Sequence, residues 1–141
     1  LITNPNLEKA RKFISKAEHY LMATDYLNKG GFSDISASTV FYSMYHCLLA
    51  IAIKFGYESR NQECTFALIA NLIEENKIDF NQSLLDKIAK LDTNENEEET
   101  SLEIREKYQY GTSLTLEEDL FNELFNLAKI IVSKTKEIIE E

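Results

Sequence analysis

The chain is poor in residues that interrupt regular structure. Four of its 141 residues are glycine, one is proline (Pro5), and tryptophan is absent. No segment of strand length alternates apolar and polar residues. Leu, Ile, Ala, Glu and Lys, which favour helices, are abundant instead. The composition therefore predicts an all-α protein.

Basic charge is also scarce, because 15 lysines and arginines face 24 aspartates and glutamates, for a net charge of −9. A surface that neutralises many phosphates is usually basic, so an extended non-specific nucleic-acid surface is excluded. The charge is unevenly distributed, however. Acidic residues crowd positions 92–99, and cations gather near the start at Lys9, Arg11, Lys12 and Lys16. A local basic strip is compatible with this pattern.

Few side chains are present that could bind a metal or act as nucleophiles. Cysteine occurs at Cys47 and Cys64 and histidine at His19 and His46, without the spacing of convergent metal ligands. One thiol on each of two predicted helices argues against a disulfide framework, so we expect a reducing, cytoplasmic setting. Phosphate-binding glycine loops and nucleophile elbows are missing. We expect neither a metal nor a cofactor.

One long stretch, residues 35–53, contains no Asp, Glu, Lys or Arg. Its length meets the usual threshold for a membrane-spanning helix. Its first half is nevertheless rich in hydroxyls and phenols, and the other predicted helices are amphipathic. We therefore predict that this stretch is the central helix of a soluble bundle rather than a membrane span.

Apolar residues recur three or four positions apart along most of the chain. This spacing predicts an up-and-down antiparallel bundle of four long helices plus one short helix, in a single domain over residues 1–141. The short helix or turn falls on residues 101–111. Capping-box patterns predict helix starts at Ser59, Asp79 and Thr115, and Ser33 or Asp34 is expected to cap the second helix.

Two places on the sequence could carry chemistry. Tyr42 and His46 are four apart and project from one face of the second helix. They either satisfy each other or a backbone carbonyl inside the fold, or they line a polar pocket for a ligand. Arg105 carries a guanidinium suited to phosphate, with Tyr108 and Tyr110 close by. Alternatively, Arg105 is a solvated arginine and the two tyrosines beside it only pack against the fold.

Two segments together resemble the HEPN domain family. "GGFSDISASTVFYSMYHCLLAIAIKFG" is similar to that family's run of small residues, aromatic pair, methionine, further aromatic, histidine and apolar tail. "REKYQYGTSLTLEEDLFNELFNLAKIIVSKTKEII" is similar to its arginine, tyrosine, acidic linker and closing amphipathic helix. The likeness covers nearly the full length, with both segments in the expected order.

The resemblance implies an up-and-down bundle, often a two-fold dimer, whose second helix lines a cleft with the segment before the last helix. Many members are metal-independent endoribonucleases, toxins or defence effectors, while others pair with small nucleotidyltransferases or bind nucleotides. Carried over residue by residue, it assigns ligand binding to Tyr42, His46, Arg105 and Tyr110.

The sequence departs from the catalytic motif of that family, in which an arginine is followed after four to six residues by a histidine. Neither histidine stands at that interval, and after four intervening residues Arg105 is followed by Tyr110, where a catalytic member could have histidine. An ordinary phenol, with a pKa near ~10, is a poor general base at neutral pH compared with an imidazole near ~6.5. The usual ribonuclease mechanism is therefore not expected from these residues.

We accordingly expect a HEPN-like nucleotide- or RNA-binding module that acts with a partner. That partner would be a nucleotidyltransferase, in a toxin–antitoxin or defence context, and the module itself a homodimer. One alternative is a metal-independent endoribonuclease with His46 and Arg105 as catalytic residues. The other is a purely structural dimerisation bundle.

Overall fold

A computed structural model describes residues 2–92 and 118–141 of the protein. These residues form five helices: α1 Leu7–Lys29, α2 Ser33–Lys54, α3 Gln62–Glu74, α4 Gln82–Asp92 and α5 Glu118–Glu140. The predicted all-α class is confirmed. The predicted short helix at 101–111 and the cap at Thr115 lie outside the described residues.

The first two helices form a hairpin that begins and ends at residues suited to those positions. Asn6 caps α1, because its Oδ1 accepts a hydrogen bond of 2.9 Å from the Lys9 backbone N–H. The helix ends where the Gly30 N–H donates to the Tyr26 carbonyl at 2.9 Å. Gly31 then adopts a φ of +88°, a conformation that glycine reaches at little cost, and the chain turns back.

Small polar side chains set the antiparallel register between α1 and α2. Ser43 Oγ donates to the Ala17 carbonyl at 2.7 Å, and Thr24 Oγ1 lies 2.7 Å from Thr39 Oγ1. Ser43 and Thr24 are fully buried, so their hydroxyls need these partners. Ser43 therefore lies opposite Ala17. This alignment determines which side chains of α1 and α2 face each other along the hairpin.

Helix α2 lies at the centre of the fold and packs against each of the other four helices. Thirteen of its 22 residues are buried, and Met44, Leu48 and Ile51 are fully enclosed. Within the described part of the chain it is the one helix long and apolar enough to cross a membrane. Its burial against other helices accounts for that composition, as expected for a core helix.

Helix α5 runs antiparallel to α1 and closes the core. Ile131 and Ile138 are buried on its inner face. Arg11 Nε and Nη2 of α1 donate to the Glu140 carboxylate of α5 at 2.8 Å. Further along α1, Glu18 pairs with Lys136 of α5. These pairs occupy the α5 side of α1, which leaves the opposite side of α1 for other contacts.

The structure corrects the predicted helix starts. At α3 the side chain of Asn61, not Ser59, accepts from the Cys64 backbone N–H at 2.7 Å. At α4 Asn81, not Asp79, plays the capping role through a 2.8 Å bond from the Ser83 N–H. The start of α2 is also different from the prediction, because the preceding residue, a phenylalanine, makes no capping bond through its side chain.

Candidate functional site

Four ring-bearing side chains alternate between α1 and α2 along one side of the hairpin. The ring centroids of Phe13 and His46 are 6.1 Å apart, those of His46 and Tyr20 5.2 Å, and those of Tyr20 and Tyr42 5.9 Å. Neighbouring rings are tilted by 47°, 33° and 33° in that order. We call this series the aromatic row. The predicted sharing of one face by Tyr42 and His46 is thus seen.

His46 is half-buried and uses one ring nitrogen within its own helix. Its Nδ1 lies 2.8 Å from the Tyr42 carbonyl oxygen. A carbonyl can only accept, so Nδ1 carries a hydrogen and donates it. In the neutral ring Nε2 is then left as an acceptor, and none of the described residues bonds it. The sequence allowed either a contact of this pair with a backbone carbonyl or a pocket for a ligand. The contact with the Tyr42 carbonyl is present, and it leaves Nε2 of His46 for a ligand.

A strip of lysines lies beside the aromatic row on α1. Lys9, Lys12 and Lys16 are three and four residues apart, so they share one side of the helix. Together with Phe13 and His46 they line a groove of about 240 Å³. Among residues 2–92 and 118–141, no carboxylate belongs to that lining. We call the three residues the lysine strip.

The lysine strip carries charge that is barely neutralised by neighbouring residues. Lys9 Nζ lies 3.9 Å from a Glu58 carboxylate oxygen, a long separation for an ion pair. Lys16 Nζ sits over the Tyr20 ring, 5.5 Å from its centroid. Among residues 2–92 and 118–141, neither Lys12 nor Lys16 has an ion-pair partner. In a protein with a net charge of −9, this is a local positive surface.

The other two cations of α1, Arg11 and Lys29, face carboxylates. Arg11 forms a two-pronged pair with Glu140, and this hydrogen bond raises the arginine pKa and lowers that of the glutamate. Lys29 lies 2.9 Å from Asp25. Arg11 thus differs from the lysines with which the sequence groups it. The charge on α1 is sorted by side, paired towards α5 and largely unpaired along the groove.

Of the four ligand-binding residues predicted from the sequence, two lie in this groove region. Tyr42 is exposed and ends the aromatic row, and His46 lines the groove itself. Arg105 and Tyr110 lie outside the described residues, so a cleft shared with them stays a prediction.

Sequence reasoning missed Phe13 and Tyr20 as site residues and treated the lysines only as a cluster. The signal was available in part, because Phe13 and Tyr20 are seven residues apart and lie among those lysines. What the sequence could not show is which residues of α2 lie opposite them.

Other reactive side chains in the described part of the chain do not converge. Among residues 2–92 and 118–141 there is no group of three or more His, Cys, Asp or Glu that could hold a metal ion. Burial raises the pKa of the Cys47 thiol to about 12, so it stays protonated at neutral pH. His19 is exposed on α1 and stacks edge-on against Tyr20. The groove, by contrast, brings three lysines together beside the aromatic row.

Comparison with models of known protein families assigns the chain to one of them. The family model for the HEPN domain matches residues 10–139, which is nearly the whole chain. The chain belongs to the HEPN family. A search of curated proteins finds no match. HEPN domains are nucleotide- and RNA-related modules, and the matched region includes both helices of the aromatic row.

Proposed function

We propose that this HEPN domain binds a nucleotide or RNA on the aromatic row and the lysine strip, and that it acts with a partner protein. The observation that carries the proposal is a groove on an acidic protein that is lined by three lysines, a phenylalanine and a histidine, and to which no carboxylate of the described residues contributes. Lysine ammonium groups bind phosphates as point charges, and aromatic rings stack on bases.

The arrangement suits a phosphate ligand better than a purely structural role. A core contact between α1 and α2 needs apolar volume, which leucine supplies without a polar cost. The aromatic row instead ends on an exposed phenol and includes a half-buried imidazole with one nitrogen that no described residue bonds. The polar atoms of the row are thus placed at the edge of a groove, where a ligand can reach them.

A second candidate function, metal-independent RNA cleavage, is favoured by the geometry of His46. Its Nδ1 donates to a backbone carbonyl, which fixes the tautomer and leaves Nε2 to accept a proton, as a general base must. In this candidate Arg105, outside the described residues, would stabilise the charge that develops on the phosphate.

We also propose that the protein is a cytoplasmic homodimer that meets a nucleotidyltransferase partner in a toxin–antitoxin or defence setting. Support for the dimer comes from large apolar side chains on the last two turns of α1 and just before α2: Met22 is 72% exposed, Tyr26 79% and Phe32 54%. Clustered exposed apolar residues commonly mark protein interfaces. Light scattering across micromolar concentrations tests the dimer, and a strictly monomeric mass would contradict it.

The binding proposal is tested with fluorescein-labelled RNA and with ATP as a competitor, read by fluorescence anisotropy. The double variant Lys12→Ala/Lys16→Ala should weaken binding at least tenfold. The control Lys29→Ala/Lys136→Ala removes the same charge from cations that are already paired, and it should bind nearly as wild type. Equal weakening by both pairs would show that bulk charge, not the groove, attracts the ligand.

Cleavage is tested separately, with the same RNA in excess chelator. Cleavage that disappears in His46→Ala and Arg105→Ala would establish the ribonuclease. Binding without cleavage supports the binding module. If neither RNA nor ATP binds, the proposal fails and a structural dimerisation bundle remains.

A further inference from the structure

We infer that the ligand of this groove is a single strand of RNA lying along α1, with about three successive phosphates on the lysine strip and unstacked bases against the aromatic row. The inference rests on the proposed function and deepens it. It distinguishes a strand from two other phosphate ligands, a mononucleotide and a double helix.

The length of the lysine strip favours a strand over a mononucleotide. Lys9 and Lys16 are seven residues apart on one helix, which at a rise of about 1.5 Å per residue is about 10 Å. Nucleic-acid strands advance about 3.4 Å per nucleotide when stacked and more when extended. The strip therefore matches the spacing of about three phosphates. The phosphates of one nucleotide are joined directly through bridging oxygens, so they span less than the strip and would engage one end of it.

The aromatic row repeats along the same direction. Phe13 and Tyr20 are also seven residues apart on α1, and His46 and Tyr42 on α2 fall next to them in alternation. Bases could thus contact rings at more than one point beside the lysine strip. A ligand that uses both features must present phosphates and bases together over about 10 Å, as a single strand does.

The tilt between neighbouring rings argues against a double helix. Rings inclined by 33–47° to one another form no flat platform on which a continuous stack could end. Bases that meet them must separate from one another, which single-stranded RNA allows and a duplex resists. A duplex would offer only its phosphates, and three lysines would then have to hold it against a protein of net charge −9.

The experiment measures the affinity of a fluorescein-labelled ten-nucleotide oligouridylate, and of its duplex with oligoadenylate, by anisotropy across a salt series. For a single strand that contacts three lysines, log affinity should fall with log salt at a slope of about −2. The duplex should bind at least tenfold more weakly. UMP and UTP should compete only at concentrations at least a hundredfold higher than the unlabelled oligouridylate.

Two variants separate the phosphate contacts from the base contacts. Lys12→Ala should reduce the slope by about 0.7, since one phosphate contact is lost. Tyr42→Leu should lower the affinity about tenfold at an unchanged slope, because it removes stacking but no charge. Tyr42 is exposed, so the fold should survive, and circular dichroism checks this. The lysine variant tests the inference even if that check fails.

The outcomes separate this inference from the proposed function. Equal or tighter duplex binding would overturn the inference, as would competition by UTP at oligonucleotide concentrations, and in both cases nucleotide or RNA binding would stand. A slope that Lys12→Ala leaves unchanged would also overturn it, because the strand would then lie elsewhere. Failure of every RNA and nucleotide to bind would refute the proposed function as well.

Discussion

Replacement of Gly56 by alanine should destabilise the protein because the N-terminal segment, Thr3 above all, lies too close to the new side chain. Gly56 follows α2 with a φ of +85°, and a Cβ added there would lie 2.7 Å from the Thr3 carbonyl oxygen. The segment that approaches it is held by hydrogen bonds, from Thr3 N–H to the Gly56 carbonyl at 2.6 Å and from Asn6 N–H to the Ile53 carbonyl at 3.2 Å. The backbone oxygen cannot move away without breaking them.

The expected magnitude has two parts. An L-residue in the left-handed conformation costs about 1–2 kcal/mol relative to glycine. Relief of the contact with Thr3 breaks its bond to the Gly56 carbonyl, worth about 0.5–1.5 kcal/mol. The free energy of unfolding should therefore fall by about 1.5–3.5 kcal/mol. For a chain of this length that corresponds to a Tm lowered by about 5–12 °C.

Gly31→Ala is the matched control. Gly31 has a φ of +88°, nearly that of Gly56, but an added Cβ there would meet no atom within 4 Å. It should therefore show the conformational cost alone, about 1–2 kcal/mol. Urea denaturation of both variants at pH 7 gives the two free energies, and their difference isolates the contacts with Thr3 and Pro5.

Removal of residues 1–5 provides the decisive comparison, because it takes away both Thr3 and Pro5, whose ring carbons would lie 3.3 and 3.4 Å from the added Cβ. Without these residues the extra cost of Gly56→Ala should vanish, and the two alanine variants should become equally destabilised. The reasoning is refuted if Gly56→Ala and Gly31→Ala are already equal in the intact chain. It is equally refuted if their difference persists after the truncation.

Two further predictions concern titratable side chains. In the native protein a thiol reagent at pH 8 should label Cys64 quickly and Cys47 only on unfolding, because Cys47 is fully buried and its pKa is raised to about 12; equal rates by peptide mass spectrometry would contradict this. Glu140→Gln should slightly lower the Tm at pH 7 and have no effect at pH 2. The bond from Arg11 lowers the folded-state pKa of Glu140, so its stabilisation exists above the unfolded pKa and is lost as pH falls through the folded one; a difference in Tm that is the same at both pH values would refute it.

The helices and the central place of α2 were predictable from the sequence, whereas the start of α3 and α4 was not. The capping-box pattern at Ser59 and Asp79 is present in the sequence, but in each case an asparagine two residues later begins the helix. A cap needs extended backbone immediately before the first helical residue, and Asn61 has it, with φ −154° and ψ 172°. The sequence offers several capping side chains, and the preceding turn selects one.

The candidate site was predictable only within one helix. A spacing of four residues places Tyr42 and His46 on one face, and the structure agrees. Their alternation with Phe13 and Tyr20 depends on the register of the hairpin, which is set by long-range contacts such as the bond from Ser43 to the Ala17 carbonyl. Local periodicity contains no information about that register, so the aromatic row could not be derived from it.

The sorting of charge on α1 is the feature that a structural role does not explain. Arg11 and Glu18, which face α5, are both paired, and each pair ties one helix to another. Three lysines on the groove side of the same helix have between them one long contact with a carboxylate of the described residues, that of Lys9 with Glu58. Like charges on one helix face repel slightly, so the strip weakens α1 in isolation. An anion bound across the lysines would remove that repulsion, and the domain should therefore be more stable with its phosphate ligand than without it.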